Sequence, residues 1–160
     1  MEELVIRFGA MEGPRHPTSE DVRKALEDVE SWTYQREEFS IEKVSNWRPE
    51  VIDGRQVIRC VMECPYATAA TFFLEDNPKP IGWFVTYHAG KDSQFALATS
   101  VNDQAGYVEG MCCGGPLTVR RDCLVAFKAA HEALTYFVER QERSPNCSWV
   151  KWTNAIRFDM

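Results

Sequence analysis

Two turn signals, Asp53-Gly54 and Asp76-Asn77-Pro78-Lys79-Pro80, cut the middle of this 160-residue chain into short extended segments and rule out an all-helical fold. Val51-Ile52 and Gln56-Val57-Ile58 flank the first signal, the pattern of a tight hairpin whose central residues need positive φ. Thr71-Phe72-Phe73-Leu74 and the run Ile81 to Tyr87 flank the second, predicting a hairpin with a longer loop. Gln94 to Val101 alternates with period two and supplies a further strand, and residues 2–8 (EELVIRF) are strand-like. The middle of the chain therefore reads as an antiparallel meander.

Helices are expected at both ends. Pro17-Thr18-Ser19-Glu20-Asp21 has the hydroxyl and acidic residues that satisfy free amides and favour the positive end of a helix dipole. Val22, Ala25, Leu26 and Val29 follow at i, i+3, i+4 and i+7, which gives one buried face. Near the C-terminus, after a strand-like Cys123-Leu124-Val125, the residues Phe127, Ala130, Ala133, Leu134, Phe137 and Val138 mark a second amphipathic helix, ended by Ser144-Pro145-Asn146. Trp149-Val150-Lys151-Trp152 then returns as a short strand with its two tryptophans on opposite faces. The expected class is α+β: an antiparallel β-sheet (meander) with an N-terminal and a C-terminal helix packed on it. Residues 1–160 read as one domain, long enough to bury about 70% of the unfolded surface without staples.

The formal net charge of −6 repels nucleic-acid backbone and attracts basic partners, so no direct nucleic-acid binding is expected. No apolar run approaches the roughly 20 residues that span a bilayer, and Met1-Glu2-Glu3 lacks a basic start, so a cytoplasmic protein without membrane association is expected. In that setting the six cysteines (60, 64, 112, 113, 123 and 147) read as reduced, mostly buried small hydrophobes. Cys60 and Cys64 have no second short-spaced pair, and Cys112-Cys113 is too tight for easy tetrahedral chelation, so no metal is expected.

Motifs for nucleotide, zinc-protease and serine-hydrolase chemistry are absent, as is the His-x-Glu with Pro-Cys-x-x-Cys of zinc deaminases. No catalytic residue and no cofactor are assigned. A pairing of Cys112 or Cys113 with His88 stays open, because nucleophile and base need only meet in space. Gly114-Gly115 reads as a loop whose glycines take positive φ before a strand, with Pro116 removing one donor from any anion cradle. Five tryptophans and the loop acids Glu75, Asp76, Asp92, Asp103 and Glu109 are the residue types that anchor a protein interface and complement a cationic partner.

The pattern Gly114-Gly115-x6-Asp122-Cys123-x-Val125, the helix from Phe127 to Glu142, Arg143-Ser144-Pro145 and Ser148-Trp149 resembles the C-terminal half of the immunity proteins of bacterial polymorphic toxin systems. It is most similar to those that guard against DNA cytosine deaminase toxins. The resemblance implies a stoichiometric inhibitor that binds its cognate toxin, a deaminase domain, one to one, and blocks the active site or substrate groove. On that reading the contact surface runs from Asp92 through Gly115, with Asp103, Tyr107, Glu109, Cys113, Gly114 and Gly115 on its rim and Trp83 as a possible anchor. Two rival expectations stand beside it: a small cysteine-dependent enzyme, and a non-catalytic adaptor or homodimeric interaction domain.

Overall fold

The computed structural model describes residues 2–31, 36–101 and 104–157. Strand β1 (Leu4–Phe8) turns at Gly9 into β2 (Met11–Arg15), and the chain then enters helix α1 (Ser19–Glu30). The helix starts where the sequence predicts. The Thr18 hydroxyl accepts from the Asp21 N–H at 3.2 Å while the Asp21 carboxylate accepts from the Thr18 N–H at 2.9 Å, a capping box. Val22, Ala25, Leu26 and Val29 form its buried face.

Strand β3 (Glu38–Lys43) leads into the hairpin of β4 (Trp47–Ile52) and β5 (Arg55–Cys60), turned by Asp53 and Gly54 at φ 51° and 77°. The meander continues through β6 (Tyr66–Phe73), β7 (Gly82–His88) and β8 (Gln94–Ala98). A second tight hairpin joins β9 (Tyr107–Cys112) to β10 (Gly115–Arg120). Helix α2 (Phe127–Arg140), β11 (Ser148–Lys151), the single turn α3 (Trp152–Ala155) and β12 (Ile156–Arg157) complete the chain. The architecture is α+β and the sheet is antiparallel throughout, as expected. Among the described residues no helix is long and apolar enough to cross a membrane.

The main sheet runs β11-β8-β7-β6-β3-β1-β2 and forks at β6. Ala67 to Ala70 pair with β3, whereas Phe72 and Phe73 pair with Cys112 and Met111 of β9. From β9 the branch continues through β10 to β12, and α3 links β12 back to β11. The circuit β6-β7-β8-β11, α3, β12-β10-β9 thus closes on itself. Strand alternation sends side chains to two separate cores. Helices α1 and α2 cover Ile6, Ile41, Ala69, Val85 and Leu97 on one face. Phe72, Phe84, Ala96, Val108, Val119, Val150 and Ile156 fill the closed circuit on the other.

Four local expectations are corrected. Arg121–Cys123 is a 3-10 turn, and only Val125 of the expected Cys123-Leu124-Val125 strand makes a bridge, to Trp83. The buried Arg120–Asp122 ion pair, two residues apart, closes that turn and competes with extension. Cys113 (φ 54°) and Gly114 (φ 77°) are the two turn residues, while Gly115 already belongs to β10. Strand β8 ends at Ala98 rather than Val101, as Thr99 turns to donate its N–H to the Asp122 carbonyl at 2.8 Å. Trp152 leaves β11 to start α3; Trp149 packs on the helix-side core and Trp152 on the other.

Candidate binding surface

Strand β9 presents one row inward and one row outward. Val108, Gly110 and Cys112 face the closed circuit, so Tyr107, Glu109 and Met111 face solvent. The strand lies against β6 because position 110 has no side chain: a Cβ there would lie 2.5 and 2.6 Å from ring carbons of Phe72 and would strike the Phe73 carbonyl oxygen. Tyr107 is 38% exposed and is steadied by its hydroxyl, which donates to the Asn154 carbonyl of α3 at 2.9 Å. Glu109 sits opposite Thr118 of β10.

The tip of this hairpin leans on the start of β3. The Cys113 thiol donates to the Glu38 carboxylate at 3.0 Å, and a Cβ on Gly114 would lie 3.4 Å from a Glu37 carboxylate oxygen. The neighbouring Cys112 thiol, 3.6 Å away, together with burial and Glu38, pushes the Cys113 thiol far above its ordinary range. A thiol held in that way stays protonated at neutral pH and is a poor nucleophile.

The open pairing of these cysteines with His88 is ruled out by register. His88 lies opposite Tyr66 and Cys112 opposite Phe72, six residues along β6, which is roughly 20 Å. His88 instead sits in a buried polar patch, stacked on Tyr66 with ring centroids 4.4 Å apart. Gln94 Oε1, 3.2 Å from Nδ1, fixes the proton there, leaving Nε2 to accept from the Thr86 hydroxyl at 2.9 Å. Burial lowers the His88 pKa, and the Gln94 bond only partly opposes this.

In the unfolded chain His88 titrates near 6.5, above its folded value. The unfolded state therefore binds the extra proton first, and stability falls as the pH drops from about 6.5 toward the lower folded pKa. His88→Gln is expected to flatten the loss of unfolding free energy between pH 7 and pH 5, measured by urea titration; an unchanged slope would remove His88 from the acid response.

The expected surface residues do not form one patch. Tyr107, Glu109, Cys113, Gly114 and Gly115 come together on the β9–β10 hairpin. Asp92 lies in the turn between β7 and β8, at a shallow cavity of about 280 Å³ lined by Lys91, Gln94, Lys151, Trp152 and Thr153. Because Tyr107 bonds Asn154, Asp92 and the hairpin flank α3 from two sides. Asp103 lies outside the described residues.

Trp83 is separated from all of these. It is 2% exposed and belongs to the helix-side core, where its indole N–H donates to Glu30 at 3.3 Å. It forms the floor of a different cavity, about 550 Å³, walled by Ile81, Leu124 and Phe127. The alternation of β7 decides this, since Phe84 points into the closed circuit and Trp83 must point away from it.

Sequence reasoning missed the most apolar surface. Val51, Ile52, Val57, Ile58, Val61 and Met62 are all exposed, and all lie in or just after the β4–β5 hairpin. The available signal was the charge pattern: Arg48, Glu50, Arg55 and Arg59 share one face of the ribbon, so that face resists burial against the body. Among the described residues no group of three or more His, Cys, Asp or Glu is arranged to hold a metal ion. Compared with protein-family models, with curated proteins and with solved structures, the chain gives no match.

Proposed function

We propose that this chain is an immunity protein: a stoichiometric inhibitor that binds a cognate bacterial toxin, a nucleic-acid deaminase, and covers its active site or substrate groove. The observation that supports it is the outward row of β9. Tyr107 and Met111 flank Glu109, and the row ends at a tip where Glu37 and Glu38 gather around Cys113 and Gly114. An enzyme that acts on nucleic acid presents a cationic track to phosphates and a pocket for the extruded base. A stiff hairpin carrying Glu109 and an aromatic ring, with Glu37 and Glu38 at its tip, complements such a groove in charge and in shape.

The hairpin is stiff for physical reasons, being hydrogen-bonded to β6 and β12 and wedged at Gly110. It is too small to act alone. A stable complex buries about 800 Å² per partner, so the Asp92 turn beside α3 joins the contact.

Co-expression with the toxin encoded next to it is expected to restore growth and to copurify the two chains one to one. Tyr107→Ala with Glu109→Lys is expected to weaken the complex by about 2 kcal/mol or more, roughly 30-fold in Kd, with an unchanged melting temperature as control for folding. Growth that the chain does not restore, or a Kd indifferent to both substitutions, would overturn the reading.

A further inference from the structure

The β4–β5 arm stands apart from the main sheet. Among the described residues its strands pair with each other and with no other strand, and every residue of β5 is exposed. Its register places Trp47, Pro49, Val51, Gln56, Ile58 and Cys60 on one face and the charged residues with Ile52 and Val57 on the other. Val51 and Ile58, near the middle of the apolar face, are 67% and 70% exposed. A two-stranded ribbon is marginal in water, so an arm of this composition gains from pairing with further strands.

The edges of the arm differ. Ile52 and Arg55 close the two-residue turn and exchange both backbone bonds, and alternation makes Glu50 and Val57 the next bonded pair. The backbone groups of Pro49 and Ile58 therefore point outward. On β4 the outward residues are Trp47, Pro49 and Val51, and the central proline has no N–H and blunts that edge. On β5 Gln56, Ile58 and Cys60 turn their N–H and C=O groups to solvent with no such guard.

We propose that the β5 edge pairs antiparallel with the β5 edge of a second copy of this chain, about a two-fold axis at Ile58. In that register the outward groups match: Ile58 faces Ile58 of the second copy and Gln56 faces Cys60. The apolar faces of the two arms become one four-stranded surface. The adjacent register, centred on Val57, sets Arg55 opposite Arg59 on both sides of the axis, and like charges directly opposite are destabilising.

Charge favours the arm over the rest of the surface for contact between copies. The arm carries Arg48, Arg55 and Arg59 against Glu50 and Asp53, a net +1, on a chain of −6, so the remainder carries −7. Two such bodies repel each other, and the arm is where contact between copies is least opposed. A six-residue edge is short of the about 800 Å² per partner of a stable complex, so the dimer dissociates on dilution.

Analytical ultracentrifugation over a micromolar dilution series is expected to show a monomer–dimer equilibrium for the wild type. Ile58→Pro removes the outward N–H without cutting a β4–β5 bond and is expected to leave only monomer, with unchanged far-UV circular dichroism. Ile58→Asp, which sets two carboxylates on the axis, is expected to do the same. A directly bonded antiparallel pair holds its Cα atoms about 5.5 Å apart, within disulfide reach. Ile58→Cys in a Cys60→Ser background, oxidised with diamide, is therefore expected to give a covalent dimer. A wild type that stays monomeric at every concentration, or a dimer that survives both Ile58→Pro and Ile58→Asp, would overturn the proposal. Neither result bears on toxin neutralisation, which the growth assay reads separately.

Discussion

Gly110→Ala is expected to lower folding stability by about 3 kcal/mol, and Gly110→Val by more. The added carbon would sit 2.5 Å from a Phe72 ring carbon and run into the Phe73 carbonyl, so both a packed side chain and the backbone of β6 must give way. Phe72 is fully buried, and its strand is where the sheet forks, so the strain falls on the joint that closes the second core. In a chain of this size each kcal/mol moves Tm by about 2–4 °C, which puts the alanine variant roughly 10 °C below wild type. Adding Phe72→Leu relieves the ring contact but leaves the carbonyl, so the double variant is expected not to recover wild-type stability. An alanine variant melting within a degree or two of wild type would show that β9 does not need to lie so close.

The second large effect is expected at Glu42. Its carboxylate, 2% exposed, faces Arg7, 5% exposed, with 3.5 Å between Oε1 and Nε, beneath the base of the β4–β5 arm. Asn46 donates to it at 3.0 Å, Ser40 at 3.1 Å and the Trp47 indole at 3.4 Å, and the Arg7 guanidinium lies 4.8 Å from the Trp47 ring centroid. Glu42→Ala would leave a buried arginine without its counter-charge, a loss of about 3–5 kcal/mol. Replacing both charges, Arg7→Met with Glu42→Leu, is expected to cost much less than the single change, because no orphan charge remains. Urea unfolding of wild type, Arg7→Met, Glu42→Leu and the double variant, the four corners of a double-mutant cycle, checks this. Additive losses would mean that the pair contributes nothing as a pair.

The contrast between the two cores shows what a sequence can disclose. The face of α1 through Val22, Ala25, Leu26 and Val29, and that of α2 through Ala130, Ala133, Leu134 and Phe137, stand in the helical spacing itself. The second core does not. Phe72, Val108, Val119 and Ile156 come from distant strands that share it because β6 pairs with two partners in succession, and no local pattern marks that fork.

The same holds for the surface. Tyr107 and Glu109 could be singled out as residue types suited to an interface, but their outward direction depends on Val108 and Gly110 fitting inside the circuit. Trp83 has the same residue-type credentials and is buried, because the neighbouring Phe84 claims the opposite core.

The sequence by itself determined whatever is short-range: a capping box at Thr18, a turn at Asp53-Gly54 whose φ values only certain residues tolerate, and the buried face of α1. These follow from sterics and hydrogen bonds within a few residues. Only the tertiary structure decided which hairpin is built into the sheet and which stands away from it. The β4–β5 and β9–β10 hairpins both turn through two residues with positive φ, yet one is an exposed arm and the other closes a core. That choice rests on what β6 has left to pair with after Ala70, a long-range competition for hydrogen-bonding edges and apolar cover that no window of neighbouring residues encodes.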